Sequence, residues 1–488
     1  MSVNSLAVLA YKVAPNMFDL STGLSHVSLR DQLIRGATLV RDLIAAGLLT
    51  DADELLIIGA GAAGVSAAQQ AATVGCRSLL LDTADEPFGL QVNVMTRYVG
   101  PYMYEWPWDL HADQHFAPPA TSLLHHWKTA AYAGLEIDSR APLSAAKLAS
   151  DWQTQLSAWV RAPGSKLSVL TKVDPKTSLR EVKEWRRRQR FWMPGPGTLR
   201  FDGTSWPMGT KPPAPINPKF IILAAGFGPE RVTWEGPSGK IDGPRFWKTD
   251  TLSDPSCGLM SKPTIVVLGG GDGALQDALR CVYAHSQPLQ TLQDLLSFPG
   301  VQRAFQSVHA DLLLAEQQHA ATRTWTSGTS QATEFASLQK AYVAILEALA
   351  VNPRVQDAML DTLRNDVARV VLVVRDKYLG KAYSLNRFLI LLLAQCLEMV
   401  PAPSGKVEFQ LKFNTEVTDI TGLAGNRTVT VHELYSDAVT SISPVAHLSI
   451  RFGVVGDMAP GQLMGLTKKD TKNRRELANI PQSLWPLP

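Results

Sequence analysis

The strongest hydrophobic pattern in the chain is a short unbroken apolar run, then small residues, then an alanine-rich segment of helical period. It occurs twice. The first run, Leu55 to Ile58, reads as a strand buried on both faces, as parallel strands are. Gly59, Gly61 and Gly64 follow in G-x-G-x-x-G spacing, with Ala62 and Ala63 opening the helix. The first glycine permits the tight turn and the second lets backbone approach a pyrophosphate. The third lets the helix pack close to the strand. Another apolar run, Ser78 to Leu81, ends in Asp82, 23 residues after Gly59, near the roughly 20-residue spacing of the acid that takes a ribose hydroxyl. The pattern returns at Thr264 to Leu268, with Gly269, Gly271 and Ala274 around Asp272 and Gly273, and a helix from Leu275 to Tyr283. Two such units predict two dinucleotides and a route for electrons between them.

The second unit is interrupted. Its next strand should follow within about 20 residues, yet the next convincing run is Ala368 to Val374. The intervening stretch, about 286–365, reads as helices split by a polar break at Thr322 to Thr333, an insertion serving as a lid or dimer surface. Arg375 then stands where an acid would mark NAD. An arginine there accommodates a 2′-phosphate, which favours NADP, while the adjacent Asp376 keeps NAD open.

The other elements frame these units. Ser28 to Leu49 has helical spacing and predicts a helix on the outside of the first domain, or a dimer contact. Ala145 to Val160 reads as a helix and 194–218 as a Pro/Gly-rich tract. Lys219 to Gly228 reads as a strand ending in small residues, among them Ala225 and Gly226. Tyr383 to Met399 reads as a helix, and Val407 to Asn414, Thr428 to Leu434 and Leu448 to Val455 as strands. The expected division is an N-terminal helical segment (1–51), a first Rossmann-like domain (52–251), a second with the insertion (252–458) and a basic, solvated tail (459–488). The fold class is α/β.

Composition narrows the function classes. Hydrophobic content of 45% and charged content of 19% over 488 residues describe an ordinary globular protein long enough for two or three domains. A net charge of +3 implies neither a nucleic-acid nor an acidic-membrane partner. The four cysteines are scattered, with no C-x-x-C, which argues for a reducing compartment and against a redox dithiol. The N-terminus lacks a signal peptide's charged start and long apolar core, and no run reaches about 18 apolar residues, so the expected location is cytoplasmic.

Candidate chemistry concentrates after Asp82. Thr83 and Gln91 lie in TADEPFGLQ, and the loop beyond it carries Tyr98, Tyr102, Tyr104, Trp106, Trp108 and Phe116. Such aromatic density at a strand's C-terminal end predicts the lining of a flavin or substrate pocket, or else a loop that buries its own rings. Tyr104, Glu105 and His111 are the candidate acid/base residues. His111 and His115 lack the helical H-E-x-x-H context, so no metal is expected. The run Arg186 to Arg190 between Trp185 and Trp192 reads as a solvated or ion-paired face before it reads as a nucleic-acid surface.

Taken in order, these parts resemble the two-dinucleotide-binding flavoproteins related to thioredoxin reductase and the flavin-containing monooxygenases. IIGAGAAG matches their FAD fingerprint, FGLQ the loop that brings Gln91 near the flavin, and ILAAGFG the strand closing the FAD domain, with Ala225 in place of threonine. VVLGGGDGALQDAL resembles the NADPH fingerprint, VVLVVRDKYLGKA the strand and arginine that hold the 2′-phosphate, and FNTEVTDITGLAGNRTVTVHEL the hairpin before the nicotinamide domain ends. LQVNVMTRYVGPYMYEWP also resembles a group of bacterial FAD/NAD(P)-binding proteins. The chain departs from the family in lacking the dithiol, and the later FAD-contacting segment is expected to be short or missing, unless Gly456-Asp457 is its remnant. The resemblance implies FAD on the first unit and NADP, or NAD, on the second. It also implies an oxidoreductase whose flavin passes electrons to O₂ or a small-molecule substrate. The alternative is a non-catalytic FAD/NAD(P)-binding sensor or scaffold, with the insertion as its partner or homo-oligomer surface.

Overall fold

A computed structural model describes residues 6–20, 28–100, 106–107, 135, 142–191, 197–226, 228–254, 262–283, 285, 287–322 and 329–454. Among the described residues, eighteen strands run in chain order. In the first half they are β1 (Lys12–Ala14), β2 (Met17–Asp19), β3 (Glu54–Ile58), β4 (Arg77–Leu81), β5 (Tyr98–Val99), β6 (Leu143–Ser144), β7 (Leu167–Thr171), β8 (Thr204–Trp206) and β9 (Phe220–Leu223). The second half has β10 (Thr233–Gly236), β11 (Gly239–Asp242), β12 (Thr264–Leu268), β13 (Arg369–Val373), β14 (Glu408–Lys412), β15 (Thr415–Leu423), β16 (Asn426–Glu433), β17 (Ala438–Val445) and β18 (His447–Ile450).

Two parallel sheets organise the chain. The first has the order β1-β2-β9-β3-β4-β7-β8, parallel from β2 to β7 with an antiparallel strand at each edge. The second, β14-β13-β12-β18, is parallel throughout. Both share one plan, in which the strand before the glycine turn lies between the second strand of its unit and the last. That is the switch point where open α/β sheets bind ligands. Leu55, Leu56 and Ile57 in β3, and Ile265, Val266 and Val267 in β12, are fully buried because both faces of each sheet are covered, in the second sheet by helices on one face and by β10, β16 and β17 on the other.

The N-terminal segment is more than a helix on the outside. β2 pairs with β9 and extends the first sheet, and the helix Leu29–Ala45 packs directly on the glycine-turn helix Ala62–Ala72. Small residues permit this approach: a Cβ on Gly36 would lie 2.1 Å from the Ala63 carbonyl oxygen. Ser66 Oγ adds a 2.8 Å hydrogen bond to the Leu33 carbonyl. At the other boundary, Trp234 and Ile241 of the β10–β11 hairpin pack with Val266, Val431 and Ile442. The hairpin's apolar face is thus covered by the cluster between β12 and the β15–β17 sheet.

The insertion consists of the helices Pro288–Ser297, Val301–Thr322, Thr329–Ala350 and Pro353–Asp361. It shares one continuous core with the second sheet and with the helix Ser384–Met399, so that helix is buried on nearly every side. Trp106 belongs to this core as well. Its ring sits 4.6 Å from that of Phe388 and it is 3% exposed, so it lines no pocket. The expectation of an aromatic pocket wall fails at this residue because the insertion supplies a better apolar environment. Tyr102, Tyr104, Glu105, Trp108, His111 and Phe116 lie outside the described residues.

The arginine-rich run lies on the helix Pro175–Phe191. Trp185 turns into the core while Arg187 and Arg188 pair with Glu184 at 2.9 and 3.1 Å on the solvent side. Among the described residues, no helix is long and apolar enough to cross a membrane.

Candidate functional site: two glycine cradles

At the C-terminal end of β3 the three glycines occupy three different environments. Gly59 has φ +111°, the left-handed region, and a Cβ on it would lie 2.3 Å from the Ala224 carbonyl oxygen. A Cβ on Gly64 would lie 1.8 Å from the Gly59 carbonyl oxygen, so the helix rests on the turn itself. Gly61 differs from both, with nothing within 4 Å of the place a Cβ would take. It precedes the helix Ala62–Ala72, which no side chain caps. The first-turn N–H groups, those of Ala62 and Ala63 among them, and the positive end of the helix dipole are thus offered to whatever enters. A cradle that is crowded behind and open in front suits a pyrophosphate.

Asp82 stands at the edge of this opening. One carboxylate oxygen accepts from the Ala60 amide at 2.5 Å and the other from Ala84 at 2.8 Å. The turn thereby holds the acid half-buried beside the place a ribose would take. Thr83 is exposed beside it. The FGLQ stretch is tied to the same turn: the Phe88 amide donates to the Ala60 carbonyl at 2.9 Å, and the Gln91 amide to Phe88 at 2.8 Å. Phe88 itself has φ +60° and packs 5.2 Å from the Trp152 ring, which leaves Gln91 buried. Beyond β9, Ala225 is exposed, and Gly226 has φ +80° with open space at its Cβ position.

The second cradle repeats the first. Gly269 has φ +132° and a Cβ there would lie 2.2 Å from the Arg451 carbonyl oxygen. Gly271 again has nothing within 4 Å and precedes an uncapped helix, Asp272–Val282. Ala274, in the place of Gly64, has its Cβ 3.3 Å from where one on Gly269 would be. The units diverge at the acid. Ile58 is in register with Leu81, and Leu268 with Val373, so Val374 takes the position of Asp82. Val374 is buried, and Arg375 follows with its side chain 78% exposed and Nε 3.4 Å from Glu416.

Two expected contacts of this cradle have other work. Asp272 Oδ1 accepts from the Tyr383 amide and from Asn386 Nδ2, both at 2.8 Å. It thereby ties the cradle helix to the entry of the helix Ser384–Met399, through the backbone of Tyr383 and the side chain of Asn386. A Cβ on Gly273 would lie 3.3 Å from the Phe246 ring, so this glycine faces the connecting segment and not the opening.

Between the units lies a buried ion network that no sequence motif announces. Arg97, from the loop after FGLQ, donates to Asp277 within the second cradle's helix, and to Asp250 at 2.6 Å. Asp250 also accepts from Arg280 at 2.7 Å, and Asp277 from Arg451 at 2.9 Å and from the Ser449 hydroxyl at 2.5 Å. Burial alone would raise the Asp277 carboxyl, but the Arg97 and Arg451 charges outweigh it and hold the group below the usual range. The one available signal was an acid in the middle of the helix Asp272–Val282, three residues before Arg280. The strand β7 and the helix after it were also missed, although LSVLT ahead of Asp174-Pro175 carries both signals.

Three of the four cysteines are described, and all are buried free thiols. Burial pushes Cys76 up to about 11, and Cys281 and Cys396 up to about 12, so none of these is a thiolate at neutral pH. Among the described residues, no group of three or more His, Cys, Asp or Glu side chains could hold a metal ion.

Residues 57–127 match the model of a family described as an NAD(P)-binding Rossmann-like domain, which covers the first cradle. No curated protein matches the chain. Among solved structures, thioredoxin reductase of Lactococcus lactis is 13% identical with a TM-score of 0.35, over 82% of this chain and 77% of that one. An ornithine N-hydroxylase of Kutzneria sp. 744 is 13% identical with a TM-score of 0.36, over 82% and 80%. The cadaverine monooxygenase of Erwinia amylovora, solved bound to FAD, is 13% identical with a TM-score of 0.34, over 90% and 96%. At these identities and scores the likenesses carry no functional weight, and the site is read from this chain's own residues.

Proposed function

We propose that the chain is an FAD- and NAD(P)H-dependent oxidoreductase. The observation that carries this is the pair of open cradles, Gly61 and Gly271, built on one plan within a single chain. Val374 and the exposed Arg375 suit the second cradle to NADPH, because a valine stands where the first unit has Asp82 and a guanidinium, paired with Glu416, follows it. The first cradle, with Asp82 at its edge, then takes a dinucleotide without that phosphate. FAD is the choice that completes an electron route. When bound, it takes a hydride from NAD(P)H and passes the electrons to O₂ or a small molecule. The protein's share is positioning: Gly61 and the uncapped helix hold phosphate, and Asp82 meets ribose. The buried thiols support a flavin that works without a dithiol partner.

The deciding experiment is the absorption spectrum of the purified protein before and after anaerobic addition of NADPH. A flavin spectrum that bleaches supports the enzyme. Flavin that does not bleach favours the sensor or scaffold reading, and a protein that cannot be loaded with flavin refutes both. Peroxide released during aerobic NADPH turnover without added substrate would favour an oxidase over a coupled monooxygenase.

A further inference from the structure

The helical insertion interrupts the second unit between the cradle helix and β13, and its polar interior is directed at one loop. That loop, residues 376–383, follows Arg375 and wraps the glycine turn. Leu379 Cδ2 lies 3.8 Å from the place a Cβ on Gly270 would take, and the Tyr383 amide donates to Asp272. Three of its carbonyls face inward onto buried donors. His319 Nε2 lies 3.1 Å from the Gly380 oxygen, and since a carbonyl can only accept, the ring nitrogen carries the proton. Arg387 Nη1 donates to Leu379 and Ala382 at 3.2 and 2.8 Å. Arg387 is in turn held by Glu316, whose two oxygens accept from Nη2 at 2.5 and 2.7 Å, while the Tyr342 hydroxyl donates to the same carboxylate. Glu316 and His319 are three apart on the helix Val301–Thr322 and both are buried.

With its carbonyls held inward, the loop leaves Arg375, Lys377 and Lys381 exposed on its outer side, offset by Asp376, which pairs with Lys381 at 2.8 Å, and by Glu416. Three cations stand against two acids on a loop beside an open glycine cradle, a charge balance that favours an anion.

We propose that the insertion is the specificity element of the second cradle: Glu316 and His319 are positioning residues that, through Arg387 and Gly380, shape the loop so that Arg375, Lys377 and Lys381 meet the 2′-phosphate of an adenosine. This rests on the reading of the second cradle as a nucleotide site. Neither residue touches the nucleotide, and the insertion acts as a brace behind the loop.

The test uses the full chain and two probes, 2′,5′-ADP and 5′-AMP, which differ by the 2′-phosphate, with binding read by titration calorimetry. The wild type should prefer 2′,5′-ADP. His319→Ala should weaken 2′,5′-ADP by about tenfold, the loss of one buried hydrogen bond, and leave 5′-AMP within twofold. His319→Gln, which keeps a donor, should restore most of the preference. Glu316→Gln should act in the same direction. An unchanged ratio in folded His319→Ala and Glu316→Gln overturns the proposal. Should neither variant fold, Lys377→Ala/Lys381→Ala on the exposed loop decides, and a ratio that survives this double change overturns it too. A wild type without preference for 2′,5′-ADP also overturns it. Flavin that NADPH does not bleach, with the 2′,5′-ADP preference intact, faults the electron route and spares the loop.

Discussion

Arg97, 1% exposed and contributed by the first unit, is ion-paired with Asp277, which is fully buried inside the cradle helix of the second. The other terminal nitrogen of the same guanidinium donates to Asp250, and the Phe246 ring lies 4.2 Å from it, so one side chain joins the two units. Removing one partner leaves the other charged and buried, so Asp277→Ala should lower unfolding stability by about 3–5 kcal/mol. Urea denaturation checks this, and Arg97→Met/Asp277→Leu, which removes both charges, should recover part of the loss.

The same pair sets a pH dependence. Asp277 titrates below its unfolded value, so its contribution is complete above the ordinary aspartate range of about 3.9 and declines as pH falls through the lower folded value. Denaturation midpoints should show this contribution unchanged from pH 7 to about 5, then falling below about 4. In Asp277→Asn that acid-side component should be smaller. An equal acid slope in both proteins would place the titrating groups elsewhere.

The three glycines of the first cradle should separate folding from binding. Gly61 has φ −82° and open space at its Cβ position, so Gly61→Ala should hold stability within about 1 kcal/mol. It should still weaken FAD at least about tenfold, because the methyl group occupies the approach of the pyrophosphate. Gly64→Ala drives a methyl into the Gly59 carbonyl and should cost about 1–3 kcal/mol or more in stability. Thermal unfolding together with the flavin absorbance ratio reads both outcomes.

Arg375→Ala removes the exposed guanidinium that follows Val374. It should raise the Kd for NADPH by about 10- to 100-fold, the worth of a charge-assisted contact, and leave NADH nearly unchanged. Equal losses for both nucleotides would refute the 2′-phosphate role.

Much of this was legible because both cradles are local devices. A buried strand, a turn that only glycine can make and a helix that must sit close are encoded within about 30 consecutive residues. Gly59, Gly61 and Gly64 could therefore be picked out from spacing alone, and their environments differ: a Cβ on Gly59 meets Ala224, one on Gly64 meets Gly59, and one on Gly61 meets nothing within 4 Å. Asp82 was likewise legible, since its place follows from the length of one strand-helix-strand unit.

The rest depended on partners far apart in the chain. Asp272 reads as a cradle residue until it is seen to accept from the Tyr383 amide, and Trp106 reads as a pocket wall until Phe388 is seen to receive it. The brace formed by Glu316, His319 and Arg387 joins residues some 70 positions apart, and Arg97 reaches Asp277 across 180. The sequence alone determined the two phosphate turns, because backbone sterics and short-range periodicity act between neighbours. Only the tertiary structure decided which charges face one another, because a buried ion pair forms where packing excludes water, and packing is a property of the whole chain.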